Sequence, residues 1–303
     1  MKHIKHLRKA AGLLCLLLLL SMTCQMIPAS ADQESTEETI VTLGADLKGE
    51  DRETVLSLLG LSEDDLSDCT VLEITNADEH NYLDKYLSSQ VIGKRALSSI
   101  RLNKANKGNG IQVTTHNINY CTESMYVNAL ATAGVEDADV IVAGPFDISG
   151  TAALVGTMKA YEELTGEKIS EKAKDAATNE LVITGELSES LSDPEKASEL
   201  IGYVKNEVIA QNAASEADIK EIVQNAAEEM NVTLSEQDVD KIVSSMKKIS
   251  SLDLNLDQIK DQAKGLYDKL SSLNISADQA KGIMDKILSF FERLYNKIIT
   301  LFS

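Results

Sequence analysis

The run Val140-Ile141-Val142-Ala143, followed by Gly144-Pro145 and a helix-like stretch to Leu164, most constrains what this chain can fold into. An unbroken apolar run suits a strand buried on both faces rather than one that alternates between core and water. Gly144-Pro145 reads as the end of that strand, because proline has no N–H for a sheet ladder. Ser149 or Thr151 then offers a cap for a helix whose inner stripe is Leu154, Met158, Tyr161 and Leu164. A strand, a loop and a helix in that order form the junction where α/β folds place ligands.

Upstream, strand-like and helix-like segments alternate. Strands are predicted over 39–43, 70–75 and 111–120, and in the last the apolar phase shifts between Val113 and Ile118. Such a shift predicts a bulge or a change of face. Helices are predicted over 48–59, from Asn76, again through Leu102 after a break at Gly93, and from Thr122 to Gly134. About four strands, mainly parallel and with helices between them, make an α/β domain over 39–165. Residues 166–303 read as an all-α helical array or bundle, interrupted only by the short apolar run Leu181-Val182-Ile183. Ser215, Ser235, Asn255 and Ser276 recur at gaps of 20, 20 and 21 residues, each three before Asp218, Asp238, Gln258 or Gln279. That is a repeated capping-box-like signal, and an earlier helix is read from Ser192.

The first 31 residues stand apart from the fold. Lys2, Lys5, Arg8 and Lys9 precede an apolar core from Ala10 to Leu20, too short to span a bilayer, and Ala29-Ser30-Ala31 supplies a cleavage signal. Ser21-Met22-Thr23 before Cys24 is a poor lipobox. A secreted, extracytoplasmic protein follows, with an acidic leader over 32–38. Losing those four basic residues and no acid takes the net charge from −19 to −23. Nucleic acid is an unsuitable partner for such a surface.

Two cysteines remain after cleavage, Cys69 before the second strand and Cys121 after the third. If those strands are parallel, the sulfurs lie on the order of 20 Å apart along a six-residue strand, whereas a disulfide needs Cα atoms within about 7 Å. Parallel strands therefore imply free thiols, and a bridge implies an antiparallel pair.

The chemistry-bearing residues are sparse. His80 and His116 belong to no metal-spaced cluster, and no CxxC, P-loop or G-x-S-x-G elbow occurs, so neither a metal nor a cofactor is indicated. Asp253-Leu254-Asn255-Leu256-Asp257 mimics an EF-hand start, but Gln258 stands where glycine is needed. The strand ends gather Asp46, Asn76, His116, Ser149, Gly150 and Thr151 as candidate ligand-binding residues, and His116 with Thr151 is the place where an enzyme would act. At the C-terminus Ile287, Phe291, Leu294 and Ile298 lie on an apolar helical stripe, and residues 281–303 carry four basic and two acidic side chains. That segment suits closure of its own bundle, a membrane surface, or an envelope protein partner.

The segment THNINYCTESMYVNALATAGVEDADVIVAGPF, with LGADL at 43–47 and NELVITGEL at 179–187, resembles the YpuA-like family, domain of unknown function 1002. The resemblance covers roughly 41–208. It implies an exported protein of a Gram-positive cell with the fold above, and it brings no catalytic residues. The family pattern carries proline where Asp147 stands. Taken together the sequence points to a non-catalytic binding or interaction module, with an extracytoplasmic enzyme as the alternative.

Processing is directly measurable. Mass spectrometry of the exported protein is expected to find Asp32 at its N-terminus, and a lipid-modified Cys24 would overturn that assignment.

Overall fold

A computed structural model describes residues 39–252 and Leu254. The expected signal peptide and 32–38 leader, the expected caps at Asn255 and Ser276, and the stripe of Ile287, Phe291, Leu294 and Ile298 lie outside the described residues.

Five segments of the described residues form one mixed sheet. They are β1 (Thr39–Gly44), β2 (Thr70–Ile74), β3 (Ser99–Lys104), β4 (Ile111–Ile118) and β5 (Ala138–Ile148). Their order is β2-β1-β3-β5-β4. The β1–β2 and β4–β5 pairs are parallel, and β3 runs antiparallel to both β1 and β5. On one face Val41, Leu43 and Ala143 pack against Val55, Leu56 and Leu59 of the α1 (Gly49–Leu58) region. On the other, Ile40, Ile74, Ile100, Val140 and Val142 meet three helices: α2 (Asn76–Leu83), α4 (Glu123–Ala133) and α5 (Thr151–Thr165). The one-turn α3 (Ser89–Ile92) leads into β3. Residues on the two faces alternate along β1 and β5, the period-two pattern of a sheet covered on both sides.

Two of the sequence expectations fail here for identifiable reasons. The segment ending at Leu102 is the central strand β3, not a helix. Ile100 and Leu102 are fully buried while Arg101 and Asn103 are not, an alternation that suits a strand. Gly144-Pro145 does not end β5, which continues to Ile148. The β3 pairing stops at Ser99 opposite Ala143, so beyond that point β5 has one partner strand, and a residue without an N–H is tolerated. The phase shift in β4 is a true irregularity: the register slips between His116 and Ile118, with Asn117 at φ 57°. Asparagine is one of the few residues that adopts this left-handed conformation readily. Parallel β2 and β4 lie at opposite sheet edges, and Cys69 and Cys121 are free thiols, the outcome that parallel strands imply.

The α5 helix approaches the sheet closely enough that a Cβ at Gly156 would lie 2.2 Å from Thr42 Oγ1. A larger residue there would lift the helix off β1.

Beyond α5 come α6 (Glu171–Leu191), α7 (Pro194–Ala210), α8 (Glu216–Glu229) and α9 (Glu236–Ile249). The repeated cap signal operates where it is described. Ser215 and Ser235 each accept the N–H three residues on at 3.1 Å, and Asp238 completes the box at Ser235. The Leu181-Val182-Ile183 run is interior to α6. Ser192 does not start α7. It closes α6 at φ 53°, and Asp193 caps α7 by accepting Lys196 N–H.

The α6 helix belongs to both cores. Ala177, Leu181 and Val182 pack with the sheet, while Ala176, Ile183 and Leu187 pack with α7 to α9. At the junction of α4, α6 and α7, Lys205 Nζ lies 3.0 Å from Glu180 Oε1, and neither side chain touches solvent. Thr132 donates to the other carboxylate oxygen, and Lys205 donates to Asn128 O at 2.9 Å.

Lys205→Met should therefore cost about 3–5 kcal/mol, because it strands a buried carboxylate. Adding Glu180→Leu is expected to recover most of that loss, and chemical denaturation of the two variants checks it. Equal losses in single and double variants would show that the ion pair is not the cause.

Candidate functional site

The junction singled out in the sequence is built by backbone contacts from three directions. Gly150 stands at the head of α5 with φ 90° and no side-chain cap. A Cβ there would lie 2.5 Å from Tyr126 Oη and 2.8 Å from Ile118 Cγ2, so only glycine fits this turn. Tyr126 donates to Gly150 O at 2.6 Å, and the amides of Asn119 and Cys121 donate to Ile148 O and Ser149 O. Neither Ser149 nor Thr151 caps α5. The acceptor for its first turn is Ser98 Oγ, which takes Ala153 N–H at 2.9 Å from across the fold.

Thr151 instead faces a buried acid. The α2 helix opens on a capping box between Thr75 and Asp78, and Lys159 of α5 reaches Asp78 at 2.6 Å. Burial raises the Asp78 carboxyl, but hydrogen bonds from Lys159 and Thr75 outweigh that and hold it at about 2. This clasp fixes α2 on α5 and places the next residue, Glu79, inside. Glu79 is 1% exposed, with Oε1 accepting from Thr151 Oγ1 at 2.7 Å and Oε2 from Asn76 Nδ2 at 3.2 Å. Burial pushes its carboxyl above the usual glutamate range, against the pull of those two donors. Ser149 Oγ lies 3.2 Å from Thr151 Oγ1 and extends the chain of hydroxyls outward.

These groups form one wall of a cavity of about 480 Å³ between the 90–98 and 146–152 segments, roofed by Asn119 and Tyr120. The volume lies within the usual range of small-molecule sites. Of the residues singled out in the sequence, Ser149, Gly150 and Thr151 line it. Asn76 stands behind Glu79. Asp46 accepts Ala96 N–H at 2.8 Å, which secures the 93–98 segment without lining the cavity. His116 sits opposite Ala143 in the sheet and is not a lining residue either. Cys121, next to the cavity, is fully buried, and burial pushes its thiol up to about 12. Among the described residues no group of three His, Cys, Asp or Glu is placed to hold a metal ion.

Sequence reasoning missed Glu79, Ser98 and Phe146. The first two act through contacts made 72 and 55 residues away in the chain. Phe146 lay in the open: a phenylalanine directly after Gly-Pro and before Asp147, where no apolar periodicity asks for one.

Comparison with known proteins adds the family. The family described as protein of unknown function (DUF1002) matches residues 43–266. The chain is also 40% identical over 294 residues to the uncharacterized protein YpuA of Bacillus subtilis (strain 168), covering 96% of this chain and 98% of that protein. No solved structure matches.

The Thr151–Glu79 contact gives a pH-dependent signature. Thr151→Val should cost about 1.5–3 kcal/mol at neutral pH, as expected when a buried carboxylate loses a donor, and Thr151→Ser much less. Because the folded-state pKa of Glu79 is raised, its ionisation lowers stability as pH climbs from the ordinary glutamate value to the raised one. The valine variant lacks a donor that lowers that pKa, so its decline should be steeper and extend to higher pH. Parallel stability–pH curves for the two variants would refute the assignment.

Proposed function

This chain belongs to the DUF1002 family, and we propose that it is an exported, non-catalytic binding protein of the cell envelope that holds a small ligand at the head of α5. Export rests on the N-terminal basic, apolar and A-x-A pattern. The binding reading rests on one contrast within the cavity: its floor is internally satisfied and its rim is not. Glu79 has a donor on each oxygen, and Thr151 is occupied by it. At the rim the side chains of Gln90, Lys94, Arg95, Asn119 and Asp147 line the cavity and make no hydrogen bond or ion pair with the described residues. All five are exposed and hydrated, so a ligand entering the cavity finds their donors and acceptors uncommitted to the fold.

The alternative, an enzyme acting near His116 and Thr151, needs an acid–base pair facing the same space. His116 does not line the cavity, and the nearby thiol is held protonated by burial. Those two placements weigh against it.

Incubating the mature chain with low-molecular-mass material from an envelope digest, followed by native mass spectrometry, tests both readings. A retained adduct is expected, with the released compound unchanged in mass. Asn119→Trp, at the exposed rim, should abolish the adduct without lowering the melting temperature. Steady conversion of a component into a new mass would replace the binding reading with the enzymatic one. The absence of any adduct would remove the cavity from consideration.

A further inference from the structure

We propose, building on the binding reading, that the ligand is a short acidic saccharide whose ring stacks on Phe146 and whose carboxylate or phosphate meets Lys94 and Arg95. Phe146 is 46% exposed and, with Val71, is one of two large apolar side chains left exposed among the described residues. It lines the cavity, whereas Val71 does not. Tyr120 also lines the cavity but is half-buried, whereas the Phe146 ring is left exposed and does not serve the core. Its negative face is suited to the weakly positive C–H face of a pyranose, an attraction of the same quadrupolar origin as edge-to-face aromatic contacts.

The groups around that ring complete the chemistry. Asn119 offers an amide donor and acceptor, Gln90 a second amide, and Asp147 a carboxylate, all planar and able to engage paired hydroxyls. Lys94 and Arg95 line the same cavity, both exposed and unpaired among the described residues. They are adjacent in the chain and have no acid partner there, so both are available to an anion that enters the cavity. A guanidinium binds carboxylate or phosphate bidentately and selects for that group over a neutral one. A lone inorganic ion would use the cations but leave Phe146 and the amides idle. A neutral sugar would do the reverse. Only a ligand carrying both a hydroxylated ring and an acid uses the groups from both the 90–98 and 146–152 segments.

The test uses the full mature chain and four probes: trigalacturonate, glucose 6-phosphate, maltotriose and inorganic phosphate. Saturation-transfer NMR should show contact to ring C–H protons of an acidic sugar, and titration should show tighter binding of that sugar than of maltotriose or phosphate. Trigalacturonate and glucose 6-phosphate distinguish a carboxylate from a phosphate as the acid. Phe146→Ala should weaken the acidic sugar on the order of tenfold. The double variant Lys94→Gln/Arg95→Gln should remove the preference for the acidic sugar over maltotriose. Both changes are at exposed positions, and unchanged melting temperatures would confirm that folding is not the cause. If neither acidic sugar binds, if phosphate binds as tightly as they do, or if Phe146→Ala changes nothing, the saccharide assignment falls. The envelope-digest adduct, sensitive to Asn119→Trp, would still decide separately whether the cavity binds a ligand at all.

Discussion

Lys205 and Glu180 meet without solvent where α4, α6 and α7 come together, and the relation between the two cores depends on that contact. Each charge taken alone out of water costs several kcal/mol, and the attraction offsets this only when the geometry is held. Sliding α6 along α4 by one turn, about 5.4 Å, would part the charges while keeping the apolar surfaces in rough contact. The pair therefore penalises shifted packings that hydrophobic burial alone would tolerate. Thr132 and Asn128 extend the same network from α4, so the helix that follows β4 is tied to the helical layer by polar contacts as well as by packing. Because α6 contributes side chains to both cores, this junction helps to set the alignment of the sheet layer with α7 to α9.

What the sequence made legible was whatever neighbouring residues decide among themselves. Ser215 and Ser235 cap the helices that follow them because the cap and its amide are three residues apart. The β4 irregularity was visible because a two-residue period cannot change phase without an extra residue or a twist. The helix stripe of Leu154 and Met158 is buried as its spacing required. Illegible was whatever distant segments decide jointly. Ser98 caps α5 from a loop 55 residues upstream, so the local candidates Ser149 and Thr151 were free for other work. Glu79 reads in sequence as an ordinary first-turn acid; only the packing of α2 on α5 makes it a buried one. The β3 strand was hidden by context rather than by its own residues. Its alternation is plain, but the helix-like segment before Gly93 invited continuation.

The cavity follows from backbone constraints that no side chain can relax. Gly150 must be glycine for the turn to pass Tyr126 and Ile118. A Cβ at Gly44, where β1 ends, would lie 2.3 Å from Ala96 O, so the 93–98 segment runs against bare backbone there. Asp46 and Ser99 then hold that segment through Ala96 N–H and Gly44 N–H. Two loops fixed in this way leave a gap between them whose width does not depend on the rim side chains.

The acids at the two kinds of junction respond to pH in opposite senses, and the sum defines where the structure is best supported. Asp78 and Asp175 are each held at about 2; in both, burial pushes upward but lysine, hydroxyl and phenol partners outweigh it. Their stabilising contribution is fully present above the ordinary aspartate range and is lost as pH falls from that range to about 2. Asp175 joins Lys85, Tyr86 and Lys248, so acid loosens the link from the α2–α3 turn to α6 and α9 just as it loosens the Asp78–Lys159 clasp. Glu79 and Glu180 are raised chiefly by burial, so their proton is retained longer in the folded state and its loss at higher pH opposes folding. Partly exposed aspartates therefore set the acid limit, while the buried glutamates temper the gain on the alkaline side. In each case at least one compensating partner comes from another element, and those contacts tie the layers of a strongly acidic chain together.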